Sequence, residues 1–217
     1  TWGNATLSKS GTLDKTDTGA GVTAWKVLSK ADFGIAASTG AFGSAMTADD
    51  IDGDGVDDLV VGDPIAGAAY VYRGEKQRME PFTGPPTLLG KDHVNGLYPA
   101  LVISLGVDRF AAALDLGDLD DDGLPELAVG APGASALAPD VTGSVFVYSN
   151  QSVAGTIDLS APWTASPDSG TIGDFYGTAV HIADVEGDAR GELIVGAPQF
   201  LEGEGGYVEV LVAGPHG

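Results

Sequence analysis

Asp50-Ile51-Asp52-Gly53-Asp54-Gly55-Val56-Asp57-Asp58 runs straight into Leu59-Val60-Val61-Gly62-Asp63-Pro64, and the chain writes this arrangement three times. The second copy is Asp118-Leu119-Asp120-Asp121-Asp122-Gly123-Leu124-Pro125-Glu126, closing at Gly130-Ala131-Pro132. The third is Asp184-Val185-Glu186-Gly187-Asp188-Ala189-Arg190-Gly191-Glu192, closing at Gly196-Ala197-Pro198. An aromatic residue (Phe42, Phe110 or Tyr176) stands eight residues before the first Asp of each copy, and the Pro stands fourteen after it. The copies lie 68 and then 66 residues apart. Self-similarity at a fixed long period marks a repeat architecture in which each copy is one supersecondary unit.

Charge follows the same pattern. The 217 residues carry 31 acidic and 10 basic side chains, a net charge of −21. About half of the acidic residues fall in or beside the three loops, where mutual repulsion is costly without a cation. No basic stripe exists to replace phosphate counterions, so nucleic acid is not an expected partner. The longest apolar run, Leu97 to Val107, is interrupted and too short to cross a bilayer, so no membrane insertion is expected. The chain has no Cys, which removes disulfides, thiolate metal sites and thiol nucleophiles.

Around each loop the sequence reads as short strands. In the second copy Phe110 to Leu116 precedes the loop and Glu126 to Val129 follows it, stopped by Gly130-Ala131-Pro132. Gly143 to Tyr148 is a β-branched and aromatic third strand, and Gly155 to Ala165 holds a weaker fourth. Gly67 to Tyr72 and Gly206 to Val212 match the third strand in the other copies. No segment keeps a 3.6-residue apolar period, so helix should be nearly absent. Four antiparallel strands per unit describe a β-propeller blade. The expectation is an all-β fold: a partial N-terminal blade at 1–32, then blades at 33–90, 91–165 (with a leading insertion) and 166–217. Three blades close no ring, so the propeller should be part of a longer one or be completed by assembly.

The loop chemistry points to a hard cation. With the first Asp of each copy as position one, side-chain oxygens fall at positions one, three, five and nine, and a backbone carbonyl at seven. Loop one offers Asp50, Asp52, Asp54, Val56 and Asp58; loop two offers Asp118, Asp120, Asp122, Leu124 and Glu126; loop three offers Asp184, Glu186, Asp188, Arg190 and Glu192. Oxygen donors without His or Cys, supplied by a flexible loop, favour Ca2+. Gly at position six allows a left-handed backbone. Loop three has Ala189 there, at a cost of ~1 kcal/mol or more, so two calcium sites are expected and the third is the weakest. An EF-hand is ruled out because position twelve is Val61, Val129 or Val195.

The combined Phe-Gly, Asp-x-Asp-x-Asp-Gly-x-x-Asp and Gly-Ala-Pro pattern resembles the FG-GAP repeats of integrin α-subunit propellers and of secreted bacterial proteins. Copy one departs at Asp63, copy two at Ala111, and copy three at Tyr176, Glu186 and Ala189. The resemblance spans about 33 to 217. It implies calcium between the first two strands of each blade and ligand loops on the opposite face. Those loops would be Gly133 to Thr142, Gln199 to Gly205, Leu89 to Asp108 and Ala165 to Asp174.

These readings lead to an extracellular or cell-surface calcium-binding module for adhesion or recognition of a protein or glycan ligand. The alternatives are a structural subunit that self-associates through open blade edges and a calcium-assisted lectin using Trp163 or Tyr98. For Trp2, Trp25 and Trp163 a packing role is the simpler reading. His93, His181 and His216 are scattered, and no nucleophile elbow or zinc motif is present, so the chain is not expected to be an enzyme.

Overall fold

The computed structural model describes residues 28–36, 39–74, 97–104, 109–133, 143–153, 156–165, 175–198 and 205–212. Among them, helix is limited to one 3-10 turn at Lys30–Phe33. The strands form three antiparallel sheets. The first contains β1 (Met46–Asp49), β2 (Asp58–Asp63), β3 (Ala68–Gly74) and β4 (Leu97–Ser104) in that order. The second contains β5 (Ala113–Gly117), β6 (Glu126–Ala131), β7 (Ser144–Asn150) and β8 (Leu159–Ala165). The third has β9 (Ala179–Ala183), β10 (Glu192–Ala197) and β11 (Tyr207–Leu211). The all-β blade architecture expected from the sequence is therefore present, and the described sheets close no ring.

One strand sits elsewhere than expected. Leu97–Ser104, read as part of an insertion and a ligand loop, pairs with β3 and is the fourth strand of the first blade. The reason is a long connection: 75–96 separates β3 from β4, so the strand lies far along the sequence from the rest of the blade it completes. The reading of 1–27 as blade strands lies outside the described residues, as do the ligand loops at 134–142, 166–174 and 199–204.

Strand alternation gives each blade two apolar faces. Val60, Ala69 and Val71 of the first blade share a buried cluster with Phe110, Leu127, Val129 and Tyr148 of the second. Ala128, Val145 and Val147 of the second blade cluster with Tyr176, Leu193, Val195 and Ala197 of the third. The loop residue at position two is a knob for the next blade, since Ile51 joins the first cluster and Leu119 the second. Glycines at the ends of β2 and β6 let blades meet. A Cβ on Gly62 would fall on the carbonyl oxygen of Ala111, and one on Gly130 on that of Gly177. Asp115, on β5, ties the second blade to the third: its Oδ2 accepts the Ile182 N–H at 2.7 Å and lies 2.6 Å from His181 Nδ1.

The first blade's opposite face is covered by 28–36. Phe33 meets Tyr70 and Tyr72 at ring-centroid distances of 5.2 and 4.8 Å. The Tyr72 hydroxyl donates to the Ser29 carbonyl at 3.1 Å. Buried Lys30 reaches Asp63 at 2.9 Å, so the departure of Asp63 from the Gly-Ala-Pro pattern has a partner. Burial alone would push the Asp63 carboxyl up. Donation from Ala41 N–H, from Lys30 and from Ala66 N–H instead holds it below the usual carboxylate range. Asp63→Ala is expected to cost about 3 kcal/mol, because it removes the carboxylate that faces a buried ammonium. With the folded pKa depressed, this stabilisation is present above the ordinary carboxylate range and is lost as pH falls through the folded value. Denaturant titrations from pH 7 to pH 2 should show the wild-type advantage shrink at the acid end.

Candidate metal loops

The three loops adopt one conformation. The carboxylate at position one turns back onto the loop's own amides. Asp50 accepts from Asp54 and Gly55 N–H at 3.0 and 2.6 Å, and Asp118 accepts from Asp121 and Gly123 at 2.7 and 2.9 Å. Asp184 accepts from Gly187, Asp188 and Ala189 at 2.5, 3.1 and 3.0 Å. These amides, Ala189 first, hold the Asp184 carboxyl below its usual range. The carboxylate at position five accepts the N–H at position seven: Val56 to Asp54 at 2.9 Å, Leu124 to Asp122 at 2.8 Å, Arg190 to Asp188 at 3.0 Å.

The left-handed turn at position six occurs as expected, with φ of 82° at Gly55, 87° at Gly123 and 77° at the strained Ala189. A second left-handed residue at position four was not foreseen: Gly53 at 70°, Asp121 at 63° and Gly187 at 80°. Glycine in two of three copies is the signal that marked it, and Asp is among the side chains that tolerate this region.

The acid at position nine starts a strand and is buried in all three copies: Asp58, Glu126 and Glu192. Each holds the N–H at position two. Asp58 accepts from Ile51 at 3.0 Å, Glu126 from Leu119 at 2.9 Å and Glu192 from Val185 at 2.7 Å. Burial pushes the Asp58 carboxyl up to about 6 and the Glu126 carboxyl up to about 7, with neighbouring carboxylates adding to the rise.

Two acidic groupings have one oxygen per residue within 4.8 Å of one another: Asp50, Asp52 and Asp58 in loop one, and Asp118, Asp120 and Asp122 in loop two. Asp54 and Glu126 are not in these groupings, and loop three forms none. In loop two, Asp120 Oδ1 is buried with no hydrogen-bond partner. An orphaned carboxylate oxygen beside two more carboxylates fits a hard cation, whose charge would offset the burial penalty. In loop one, Arg73 stands 3.9 Å from buried Asp52, a neighbour that loop spacing could not reveal. Trp163, read first as a packing residue, is 45% exposed because it lies on the outer strand β8. No helix among the described residues is long and apolar enough to cross a membrane.

Blades built on an acidic first turn, with an aromatic–small corner seated on the preceding blade, define a propeller-repeat protein. The FG-GAP repeat profile matches residues 110–148, and the chain is an FG-GAP repeat protein. It is similar to phosphatidylinositol-glycan-specific phospholipase D of Homo sapiens, 33% identical over 192 residues, covering 80% of this chain and 21% of that protein. It is similar also to integrin alpha-5 of Xenopus laevis, 31% identical over 168 residues, covering 72% of this chain and 14% of the integrin. Integrin alpha-4 of Xenopus laevis is 28% identical over 169 residues, again covering 72% of this chain and 14% of the integrin. The chain thus spans about a fifth or less of these relatives.

One expectation is corrected here. The chain was expected not to be an enzyme, yet relatives at 31–33% identity are phospholipases D by name. Only a stretch of about a fifth of those proteins is shared with this chain. A missing triad or zinc motif there says nothing of the activity of the proteins in which such repeats occur.

Proposed function

We propose that the chain is an extracellular calcium-binding propeller segment that serves adhesion or recognition, with Ca2+ holding the turns between first and second strands. The observation that carries this reading is the pair of carboxylate groupings at one register in successive blades. Asp50, Asp52, Asp54, Asp58 and the Val56 carbonyl would hold one ion; Asp118, Asp120, Asp122, Glu126 and the Leu124 carbonyl would hold another. Loop three, through Asp184, Glu186, Asp188, Glu192 and the Arg190 carbonyl, fits less well because Ala189 is strained and no grouping forms. The ion's role is to neutralise the turn and fix its shape, so that the blades keep their relative positions. Thermal melts with excess calcium and with EGTA at neutral pH test this. Binding at 100 times Kd adds about 2.7 kcal/mol per site, and the midpoint should rise in calcium by roughly 5 °C or more. Equal midpoints in the two buffers would remove the calcium reading.

A second observation bears on the partner. Val208 and Val210 of the third blade are 67% and 48% exposed, whereas the matching Ala69, Val71, Val145 and Val147 are fully buried against the next blade. Val185, at position two of loop three, is 57% exposed where Ile51 and Leu119 are buried. A Cβ on Gly196 would meet only Ala179, its closest approach being 3.3 Å. Gly196, Pro198, Tyr207 and Val208 line an open cavity of about 340 Å³ at this place. The occupant that fits is one further blade of the same kind, whose aromatic–small corner seats on Gly196. A second copy's first blade fits less well, because 28–36 already covers the face it would offer.

A further inference from the structure

A buried side chain bridges loops one and two by hydrogen bonds to both. Asn150, the last residue of β7, is buried. Its Nδ2 donates to the Ile51 carbonyl in loop one at 2.8 Å and to the Pro125 carbonyl in loop two at 2.9 Å. Its Oδ1 accepts the Ser152 N–H at 2.9 Å, which fixes the amide the right way round. Its own N–H reaches Glu126 Oε1 at 3.4 Å. Both bridged carbonyls lie one residue from carboxylates of the loops: Ile51 between Asp50 and Asp52, and Pro125 beside Glu126. The Ile51 N–H is itself held by Asp58.

The matching residue of the first blade is Gly74. Its N–H donates to Asp58 Oδ1 at 2.7 Å, as that of Asn150 does to Glu126, but it has no side chain to extend. A Cβ there would fall on the carbonyl of Asp57, the counterpart of Pro125. The crossing amide therefore occurs where two loops face each other across a blade boundary. Between loops two and three, the Gly191 N–H donates to the Asp118 carbonyl at 2.8 Å.

We infer that Asn150 couples the two loops, so that a cation in either one raises the affinity of the other. This rests on the calcium reading above. An ion in loop one fixes the peptide after Ile51, whose carbonyl then holds the Asn150 amide. The same amide holds the peptide preceding Glu126. Ordering one loop thus removes part of the conformational entropy the other loses on binding, and the coupling is reciprocal.

Calorimetric titration of the full chain with CaCl2 tests the inference through a double-mutant cycle. Asp122→Ala weakens loop two and leaves Asn150 in place. In the wild-type background, this block should weaken calcium binding at loop one by about fivefold or more. In an Asn150→Ala background, the same block should change loop-one affinity less than about twofold. Asn150→Ser, which can donate to one carbonyl at most, provides a second background should the alanine variant fold poorly, and metal-free melts show which variants fold. Equal effects of the block in all backgrounds, or no effect in wild type, would overturn the coupling while leaving calcium binding intact. No calcium uptake by wild type would overturn the calcium reading and the coupling together.

Discussion

Gly130→Ala should lower the stability of the chain by about 3 kcal/mol, near the upper end for overpacking, and its melting midpoint by roughly 6–12 °C. The added methyl would fall on the Gly177 carbonyl oxygen and lie 3.1 Å from the Ala113 Cβ. Neither obstacle is a flexible side chain, so relief requires the third blade to move from the second. That movement would open the cluster of Ala128, Val145, Val147, Tyr176, Leu193 and Val195. Gly196→Ala is the matched control. It occupies the same register, yet its new methyl meets only Ala179, at ordinary to slightly tight distance. In the isolated chain its effect should stay within about 0.5 kcal/mol. Denaturant unfolding of both variants separates the cases. Two equally mild variants would contradict the packing of the second blade on the third. Two equally damaging ones would show that the Gly196 face is already filled in solution, by a further blade or another chain.

The blade plan was legible because its signals are local: alternating apolar strands, Pro stops and an acidic turn at constant spacing. The left-handed turn at position six was legible for the same reason, whereas the one at position four and the capture of loop amides by position one were not. What the sequence hid are pairings between distant residues. Asp63 departs from the repeat pattern because Lys30, 33 residues earlier, neutralises it. Tyr176 replaces Phe where Glu209 replaces the aromatic of β3 and β7, and its hydroxyl donates to that glutamate at 2.6 Å. Ala111 replaces Gly yet takes φ of 65°, so the second blade retains backbone strain that the first and third avoid with Gly43 and Gly177. Asn150 escaped notice because a buried Asn at a strand end resembles a turn residue until its two carbonyl partners are seen. Position nine was read only as a ligand, although the same carboxylate is built into the strand hydrogen bonding of the blade.

That double use of position nine gives the second large effect. Asp58→Ala should destabilise the metal-free chain by about 2–4 kcal/mol, before any ion is considered. Asp58 is fully buried, and its two oxygens accept the N–H groups of Ile51 at 3.0 Å and Gly74 at 2.7 Å. Alanine leaves both donors without that partner, and the loss of either costs about 1–3 kcal/mol. Asp58→Asn keeps one acceptor oxygen and should lose roughly half as much in metal-free buffer. In calcium both variants should lose more, because each also removes a carboxylate charge facing Asp50 and Asp52. Urea titrations with calcium and with EGTA, on wild type and both variants, separate the two roles. A loss seen only in calcium would make position nine a ligand and nothing else. An equal loss in both buffers would make it a structural clamp alone. With the proposed calcium site, a loss without calcium and a larger one with it are expected, since the carboxylate that closes the turn on Ile51 also belongs to the carboxylate grouping of loop one.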